Sequence, residues 1–220
     1  HRWYECSLCE QRYHGDVKCA LGWGCWKTYV GRPETDNEAR IMAMTTLGNG
    51  LSNANHHEAA LSVKEAELSV LRRLGIQEQS ILVTQGNLAT TYCRLGRFED
   101  ALRINRDVYS GRLKLLGEEH RDTLSAAYNY ALSLYNLERF EESKSLLRKI
   151  MPVARRVLGE DHELTLRIRT DYATALCRDA DATLDDLREA VMTLEETERT
   201  ARRVLGGAHP HTAGIEDALR

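Results

Sequence analysis

Proline, an excess of one charge and long apolar runs are all scarce in this sequence of 220 residues. With only 3 prolines, long helices can run without interruption, and 29% charged beside 42% hydrophobic residues argues against a disordered chain. No segment approaches the roughly 18 consecutive apolar residues of a membrane span, so we expect no membrane association. The 30 basic residues are balanced by 33 acidic ones, and the net charge of −3 makes a general nucleic-acid binder unexpected.

Motifs that carry catalysis are also missing. The sequence contains no Gly-x-Ser-x-Gly, no phosphate-binding Gly-x4-Gly-Lys-Ser/Thr loop, no dinucleotide-binding glycine pattern and no His-Glu-x-x-His. Adjacent acidic pairs such as Glu141-Glu142 have basic neighbours, which is typical of a solvated helix face. Because His120, His162 and His209 recur at regular intervals, we interpret them as structural residues. We therefore predict that this chain is not an enzyme.

What the sequence does contain is a repeat through most of its length. Leu-Gly recurs at spacings of 42, 42 and 47 residues, and Arg97-Phe98-Glu99-Asp100 returns as Arg139-Phe140-Glu141-Glu142 in the same register. Self-similarity at a fixed period predicts a repeat architecture. The predicted repeats are 37–75, 76–117, 118–159 and 160–206, followed by the start of a fifth helix pair.

Each repeat has the apolar spacing of two helices. In the second repeat, apolar residues recur every three or four positions over 84–95 and again over 98–116, with Gly96 between them as a turn. One hairpin cannot bury both of its apolar faces, so successive hairpins must stack. We therefore predict an all-α fold, an α-solenoid of stacked helical hairpins over 37–220.

Two local features conflict with this pattern. Gly48 and Gly50 lie within the first helix of the first repeat, where each should cost up to about 1 kcal/mol. Pro152 lies inside the second helix of the third repeat and removes a hydrogen bond there. We expect a kink or break near Pro152, although not the end of the domain.

The repeat resembles a known family. The pattern Leu-Gly-x-x-His-x-x-Thr-Leu, then Asn-Tyr/Leu-Ala, then Arg-Phe-Glu-Asp/Glu, is similar to the tetratricopeptide repeats of the kinesin light chain type. The resemblance covers about residues 37–220 and implies a right-handed superhelical solenoid that binds proteins. The chain lacks the heptad coiled coil that joins a kinesin light chain to its motor, so motor transport is not implied.

The resemblance also implies a binding surface. In this family the first helices of the hairpins line a concave groove, where an Asn typically hydrogen-bonds the backbone of an extended peptide. An amide suits this role because it both donates and accepts. The alternative is that these Asn side chains only cap or bridge adjacent hairpins. By position, the groove residues are Asn87, Thr90, Arg94, Tyr128, Asn129, Asn136, Arg167, Asp171, Thr174 and Arg178.

Cysteines are concentrated in residues 1–19, which we interpret as an incomplete zinc-finger-like segment. Cys6, Cys9, His14 and Cys19 have the Cys-x2-Cys-x4-His-x4-Cys spacing of a zinc knuckle, and three thiolates with one imidazole would satisfy Zn²⁺. A knuckle usually has glycines in this loop, and their absence here counts against a local site.

A second interpretation makes Cys6 and Cys9 the last ligand pair of a larger finger. Trp3-x2-Cys6-x2-Cys9-x3-Tyr13 is similar to the tail of a RING-CH-type finger, whose other ligands would precede the first residue. In a third interpretation no metal binds, and Cys19 and Cys25 pack as small core residues. The sequence leaves all three open.

Residues 20–36 are expected to form a lead helix and a linker. Trp23, Trp26 and Tyr29 lie at i, i+3 and i+6, an aromatic stripe that is more typical of a core than of a ligand cage. We predict that this stripe covers the exposed apolar face of the first repeat.

Together these features predict a protein-interaction scaffold that binds a peptide or protein segment in its groove. One alternative is the substrate-recruiting part of a RING-type ubiquitin ligase, and a second is a zinc-knuckle protein that binds nucleic acid. The cysteines are not spread in pairs as in secreted disulfide scaffolds, so a reducing, cytoplasmic location is expected.

Overall fold

The computed structural model of this chain describes residues 11–30 and 36–219. Apart from an isolated bridge residue at Arg12, every regular element in those residues is a helix, which confirms the all-α fold class. No helix in the described residues is both long and apolar enough to cross a membrane. The helices are α1 (Gly15–Tyr29), α2 (Asn37–Asn53), α3 (His57–Arg73), α4 (Glu78–Arg94), α5 (Phe98–Leu116), α6 (Arg121–Asn136), α7 (Phe140–Leu158), α8 (Glu163–Arg178), α9 (Leu184–Leu205) and α10 (Pro210–Ala218).

The chain divides into two compact units, residues 1–104 and 105–220, with the boundary inside α5. Each predicted repeat contains two helices: α2 with α3, α4 with α5, α6 with α7, and α8 with α9, while α10 follows the fourth. Neighbouring helices pack in chain order from α1 to α4 in the first unit and from α6 to α10 in the second. In the second unit α6 also contacts α8, and α8 contacts α10, so the first helices of successive hairpins lie side by side.

The lead helix packs on α2 through small residues. α1 begins at Gly15, earlier than expected, and its buried residues are Gly22 and Cys25. Trp26 also packs against the cluster of Leu47, Leu51 and Ala60. Trp23, by contrast, is 45% exposed, so the prediction of a buried three-residue aromatic stripe is wrong at this position. The spacing of the aromatic residues predicted that they share the buried face of α1. The face that packs on α2 is instead the one that carries Gly22 and Cys25, because small residues let the two backbones approach closely.

Glycines are what allow this close approach. A Cβ atom added to Gly50 would lie 2.7 Å from the backbone oxygen of Lys18 and 3.1 Å from Cys19 Cα. From the other side, a Cβ atom on Gly22 would lie 3.0 Å from Leu47 Cα. The helix-weakening residue Gly50 is therefore explained by tertiary packing, since a side chain there would push α1 away from α2.

The second unit holds the largest described core. Buried side chains from α6 to α10 form one cluster around residues such as Leu147, Leu166 and Leu194. α7 runs without interruption from Phe140 to Leu158, so the break expected near Pro152 is not present. Pro152 is exposed, while Ile150 and Ala154 are buried on the inner face. The lost hydrogen bond thus lies on the solvent side, where water can hydrogen-bond the free carbonyl.

The recurring histidines begin three of the first helices. In each case the residue before the helix is a histidine whose ring Nδ1 accepts the backbone N–H two residues later. A neutral imidazole nitrogen can take the acceptor role that Ser or Asp usually plays at a helix N-terminus. The Nδ1–N distances are 3.1 Å for His120 and Asp122, 3.1 Å for His162 and Leu164, and 3.3 Å for His209 and His211.

Replacing His162 with alanine should remove one of these caps. We expect His162→Ala to lower the free energy of unfolding by about 1 kcal/mol, because the N–H of Leu164 loses its acceptor. His162→Asn is the matched control, since its amide oxygen can accept the same N–H. Urea unfolding followed by circular dichroism measures both variants, and equal stability of the two would contradict the capping role.

Candidate functional site

The predicted groove residues of the first unit meet in one pocket. Asn87, Thr90 and Arg94, all on α4, line a cavity of about 170 Å³ together with residues of α2 and α3. We call it the α2–α4 pocket. Its lining residues are Asn49, Ser52, Asn53, Lys64, Asn87, Thr90, Thr91 and Arg94.

Lys64 is the buried floor of this pocket, with only 4% of its surface exposed. Its ammonium group donates to Ser52 Oγ at 2.8 Å, to Thr91 Oγ1 at 2.8 Å and to the Asn87 carbonyl at 3.3 Å. Burial lowers the pKa of Lys64 from 10.5 to about 8; Glu67 raises it and Arg94 lowers it further. Three hydrogen bonds thus hold a cation that has left most of its water.

The nearest buried carboxylate, Glu67, serves other partners. Its Oε1 accepts from Thr45 Oγ1 at 2.6 Å and from Thr84 Oγ1 at 3.1 Å. Burial raises the pKa of Glu67, while the two hydroxyl donors and the charge of Lys64 act in the opposite direction. No ion pair within 4.0 Å joins Glu67 to Lys64 among the described residues. The positive charge below the pocket is therefore not neutralised by contact.

A second pocket lies on the first helices of the second unit. Tyr128, Arg167, Asp171 and Thr174, four of the predicted groove residues, line a cavity of about 650 Å³. We call it the α6–α8–α10 pocket, after the helices that supply its walls. Its lining residues are Tyr128, Glu163, Arg167, Thr170, Asp171, Thr174, His209, Pro210, His211, Gly214 and Ala218.

Charges in the α6–α8–α10 pocket are largely paired. The Tyr128 hydroxyl donates to Asp171 Oδ2 at 2.7 Å, and Arg167 pairs with Glu163 at 2.6 Å. Burial raises the pKa of Asp171, an effect that the Tyr128 hydrogen bond and the charge of Arg167 oppose. Burial, with Arg167 next, lowers the pKa of His211, so its imidazole favours the neutral form. This pocket thus offers both positively and negatively charged hydrogen-bonding groups.

Three predicted groove residues line neither pocket. Asn129 and Asn136 are exposed on α6, and the Arg178 guanidinium stacks over the Tyr135 ring at 5.8 Å from its centre. The helical projection placed them on the first helices correctly, but it could not tell which turn of each helix faces a cavity.

Backbone oxygens at the recurring Asn positions join successive hairpins. Asn105 Nδ2 on α5 donates to the Asn129 carbonyl at 3.3 Å and to Ser133 Oγ at 2.8 Å, repeating the bonds that Lys64 makes. The side-chain amides of Asn87 and Asn129 make no hydrogen bond within the part of the chain that the structure describes. The backbone carbonyls therefore bridge successive hairpins, and the side-chain amides of Asn87 and Asn129 can form other hydrogen bonds.

Sequence reasoning missed several lining residues. Lys64 was overlooked because it lies on a second helix, while only first helices were projected onto the groove. His209 and His211 were missed because no groove residue was assigned to the fifth helix pair. The signal for Lys64 was available, because it lies on the same face of α3 as the buried apolar residues Leu61 and Leu68.

The N-terminal cysteines are covered only in part. Cys6 and Cys9 lie outside the described residues, so a zinc site that includes them remains a prediction. His14 precedes α1, and Cys19 lies within α1 and packs against the Leu47 cluster. Over residues 11–30 and 36–219, no three His, Cys, Asp or Glu side chains lie close enough together to hold a metal ion.

Comparison with known proteins agrees with the helical hairpins. Two family models, each described as tetratricopeptide repeat, match residues 81–122 and 122–183. No curated protein sequence matches the chain significantly. Neither family model reaches residues 1–19, so the resemblance to a RING-CH-type finger has no support from them.

Solved structures share the fold at low sequence identity. A single-substitution variant of a Podosopora anserina protein, described as a kinesin light chain with nearly identical TPR-like repeats, is 17% identical with a TM-score of 0.71, over 85% of this chain and 86% of its own. BtubC from P. vanneervenii is 14% identical with a TM-score of 0.60, over 92% and 91%. The apo form of RapI is 11% identical with a TM-score of 0.62, over 92% and 74%. Residues 81–183 therefore match tetratricopeptide-repeat models, and the chain shares its helical-hairpin fold with these solved repeat structures.

Proposed function

We propose that this chain is a non-enzymatic interaction module that binds an extended peptide or protein segment on the first helices of its hairpins. The observation that carries the proposal is the free side-chain amide of Asn87 beside a pocket, with its backbone oxygen already used to join two hairpins. A carboxamide presents a donor and an acceptor together, which complements one peptide unit.

The second unit supports the same function. Arg167, Thr174 and Asp171 line one open cavity on first helices, with hydrogen-bonding groups of both signs. A cavity of about 650 Å³ lies within the range of small-ligand sites, so it can take one or two side chains of a bound segment. Such a surface suits side-chain recognition, whereas the Asn amides suit the peptide backbone.

Selection from a displayed random peptide library, followed by fluorescence anisotropy on the selected peptides, tests this function. We expect Asn87→Ala or Arg167→Ala to weaken a selected peptide about tenfold, because each removes a polar contact of about 1–2 kcal/mol. Arg73→Ala on α3 and Arg199→Ala on α9 are matched controls on second helices and should leave the affinity unchanged.

Two results would count against the proposal. One is a library that yields no peptide binding above background. The other is a set of peptides whose affinity falls equally in the first-helix variants and in the Arg73→Ala and Arg199→Ala controls. Peptides that lose affinity only in the second-helix variants would place the binding surface on the opposite side of the hairpins.

We also propose that the protein works in a reducing, cytoplasmic environment. Cys19, Cys25 and Cys177 are free thiols in the structure. Burial raises the pKa of the Cys25 and Cys177 thiols, so both favour the unreactive protonated form. A chain built for an oxidising compartment would be expected to pair such residues.

A further inference from the structure

The α6–α8–α10 pocket contains a carboxylate that no cation contacts. Asp171 accepts a hydrogen bond from the neutral Tyr128 hydroxyl at 2.7 Å, and it forms no ion pair within 4.0 Å in the described part of the chain. Arg167, the guanidinium among the lining residues, pairs instead with Glu163 at 2.6 Å, so its charge is balanced locally. Two carboxylates against one guanidinium leave the lining with one excess negative charge.

The two histidines of the pocket do not supply the missing positive charge. His209 Nδ1 accepts the backbone N–H of His211, which requires an unprotonated nitrogen. His211 Nε2 lies 3.3 Å from Thr170 Oγ1, whose own proton goes to the Leu166 carbonyl, so Nε2 donates and Nδ1 carries the lone pair. That Nδ1 is buried without a partner, and a proton there would be an unsatisfied buried donor. Both rings therefore act as neutral groups in this structure.

Acceptor oxygens lie close together at the Asp171 position. Thr174 follows Asp171 by three residues on α8, so the two side chains are neighbours on the helix surface. The Thr174 hydroxyl donates to the Thr170 carbonyl at 2.8 Å, which leaves the lone pairs of its oxygen free. Asp171 Oδ1 accepts no hydrogen bond from any described residue and is not sealed from solvent. A group with several donors and no acceptor would complement these oxygens.

Packing alone does not explain a carboxylate at this position. Burial raises the pKa of Asp171, so its charged form has lost favourable contact with water. The repeat places asparagine at the equivalent positions 87 and 129, and an amide oxygen could accept the Tyr128 hydroxyl without that cost. A half-buried charge without a counter-charge is typical of a functional position, and here the missing partner is a cation.

We propose that the α6–α8–α10 pocket receives a lysine or arginine side chain of the bound segment, with Asp171 as its charged contact and the Thr174 and Tyr128 oxygens as neutral acceptors. The proposal rests on the peptide-binding function above and deepens it, because it specifies the chemical class of one ligand residue. A cavity of about 650 Å³ has room for a long side chain of this kind. An ammonium or guanidinium group supplies only donors, as the acceptor oxygens require.

Small probes test the pocket without any selected peptide. The full chain, labelled with ¹⁵N, is titrated at pH 7 and constant ionic strength with a blocked Gly-Lys-Gly tripeptide, while the backbone amide signals of Thr170, Asp171 and Thr174 are followed. The same tripeptide with an acetylated lysine is the neutral comparison, since acetylation removes the charge. Asp171→Asn removes the charged contact but keeps an acceptor for Tyr128. Asp107→Asn makes the same charge change on exposed α5 surface outside the pocket.

We expect saturable shifts with the lysine tripeptide, at least tenfold weaker binding of the acetylated one, and at least tenfold loss in Asp171→Asn but not in Asp107→Asn. Equal affinity for the two tripeptides would overturn the recognition of a cation. Absent shifts, or equal loss in both variants, would overturn the site itself. If Asp171→Asn does not fold, the ¹³Cγ signal of Asp171 in the wild-type protein replaces it. Saturating lysine tripeptide should lower its titration midpoint, and an unchanged midpoint would overturn the contact.

The same measurements separate this inference from the proposed function. If selected library peptides bind the first helices while the lysine tripeptide does not bind, only this inference fails. If the lysine tripeptide binds in the pocket but the library yields no peptide above background, the proposed function fails and the pocket is a site for small cations.

Discussion

Replacing Gly50 with alanine is expected to lower the free energy of unfolding by about 2 kcal/mol. The added Cβ atom would lie 2.7 Å from the Lys18 carbonyl oxygen, which belongs to the backbone of α1 and cannot rotate away. Overpacking of this kind costs about 1–3 kcal/mol, and the better helix propensity of alanine returns up to about 1 kcal/mol. If α1 separates from α2 instead, the burial of Cys25 and Trp26 is lost as well, so the higher part of the range applies.

Gly86 provides the matched control for this substitution. It lies inside α4, and a Cβ atom there would meet nothing within 4 Å. Gly86→Ala should therefore raise the free energy of unfolding by about 0.5–1 kcal/mol through helix propensity and a less flexible unfolded chain. Urea unfolding gives both values, and hydrogen exchange should show faster opening of α1 only in Gly50→Ala. Equal gains in the two variants would mean that α1 and α2 do not meet as closely as described.

The hairpins were predictable because repetition multiplies weak local signals. A single Leu-Gly pair says little, but four of them at spacings of 42, 42 and 47 residues locate the end of each second helix. Gly117, Gly159 and Gly206 do adopt positive φ values there. The same reasoning interpreted the recurring histidines as structural residues, and three of them do begin helices. Their capping role could not be foreseen, since it depends on which ring nitrogen faces the backbone.

Departures from the pattern were harder to interpret. Gly50 looked like a flaw in a helix because the sequence does not reveal which backbone approaches it, and Pro152 looked like a break because its exposed position was unknown. Lys64 was missed as a pocket residue since its burial depends on acceptors from α2 and α4, far away in sequence. In each case tertiary packing produced a result that differs from what the rules for an isolated helix predict.

Lys64 should make the stability of this protein depend on pH in the alkaline range. The pKa of its buried ammonium group is about 8 in the fold, below the 10.5 of an ordinary lysine. Between these values the unfolded chain holds a proton that the folded chain has released, so the free energy of unfolding rises as the pH increases. Below pH 8 both states are protonated and this gain is absent. Such a shift in pKa corresponds to about 3 kcal/mol over the whole window.

A difference measurement isolates this contribution. Wild type and Lys64→Met are unfolded in urea at pH 7 and at pH 10.5. Contributions from groups that both proteins share cancel in the difference, including that of Tyr92, whose pKa burial and Glu65 raise to about 12. We expect the stability of wild type relative to Lys64→Met to increase by about 3 kcal/mol between the two conditions, a change that the variant cannot share. If the variant does not fold, the ¹³Cε signal of Lys64 in the wild-type protein reports the same pKa directly. A relative stability that stays constant, or a signal that titrates near 10.5, would show that this ammonium group keeps its water and is not the floor of a closed pocket.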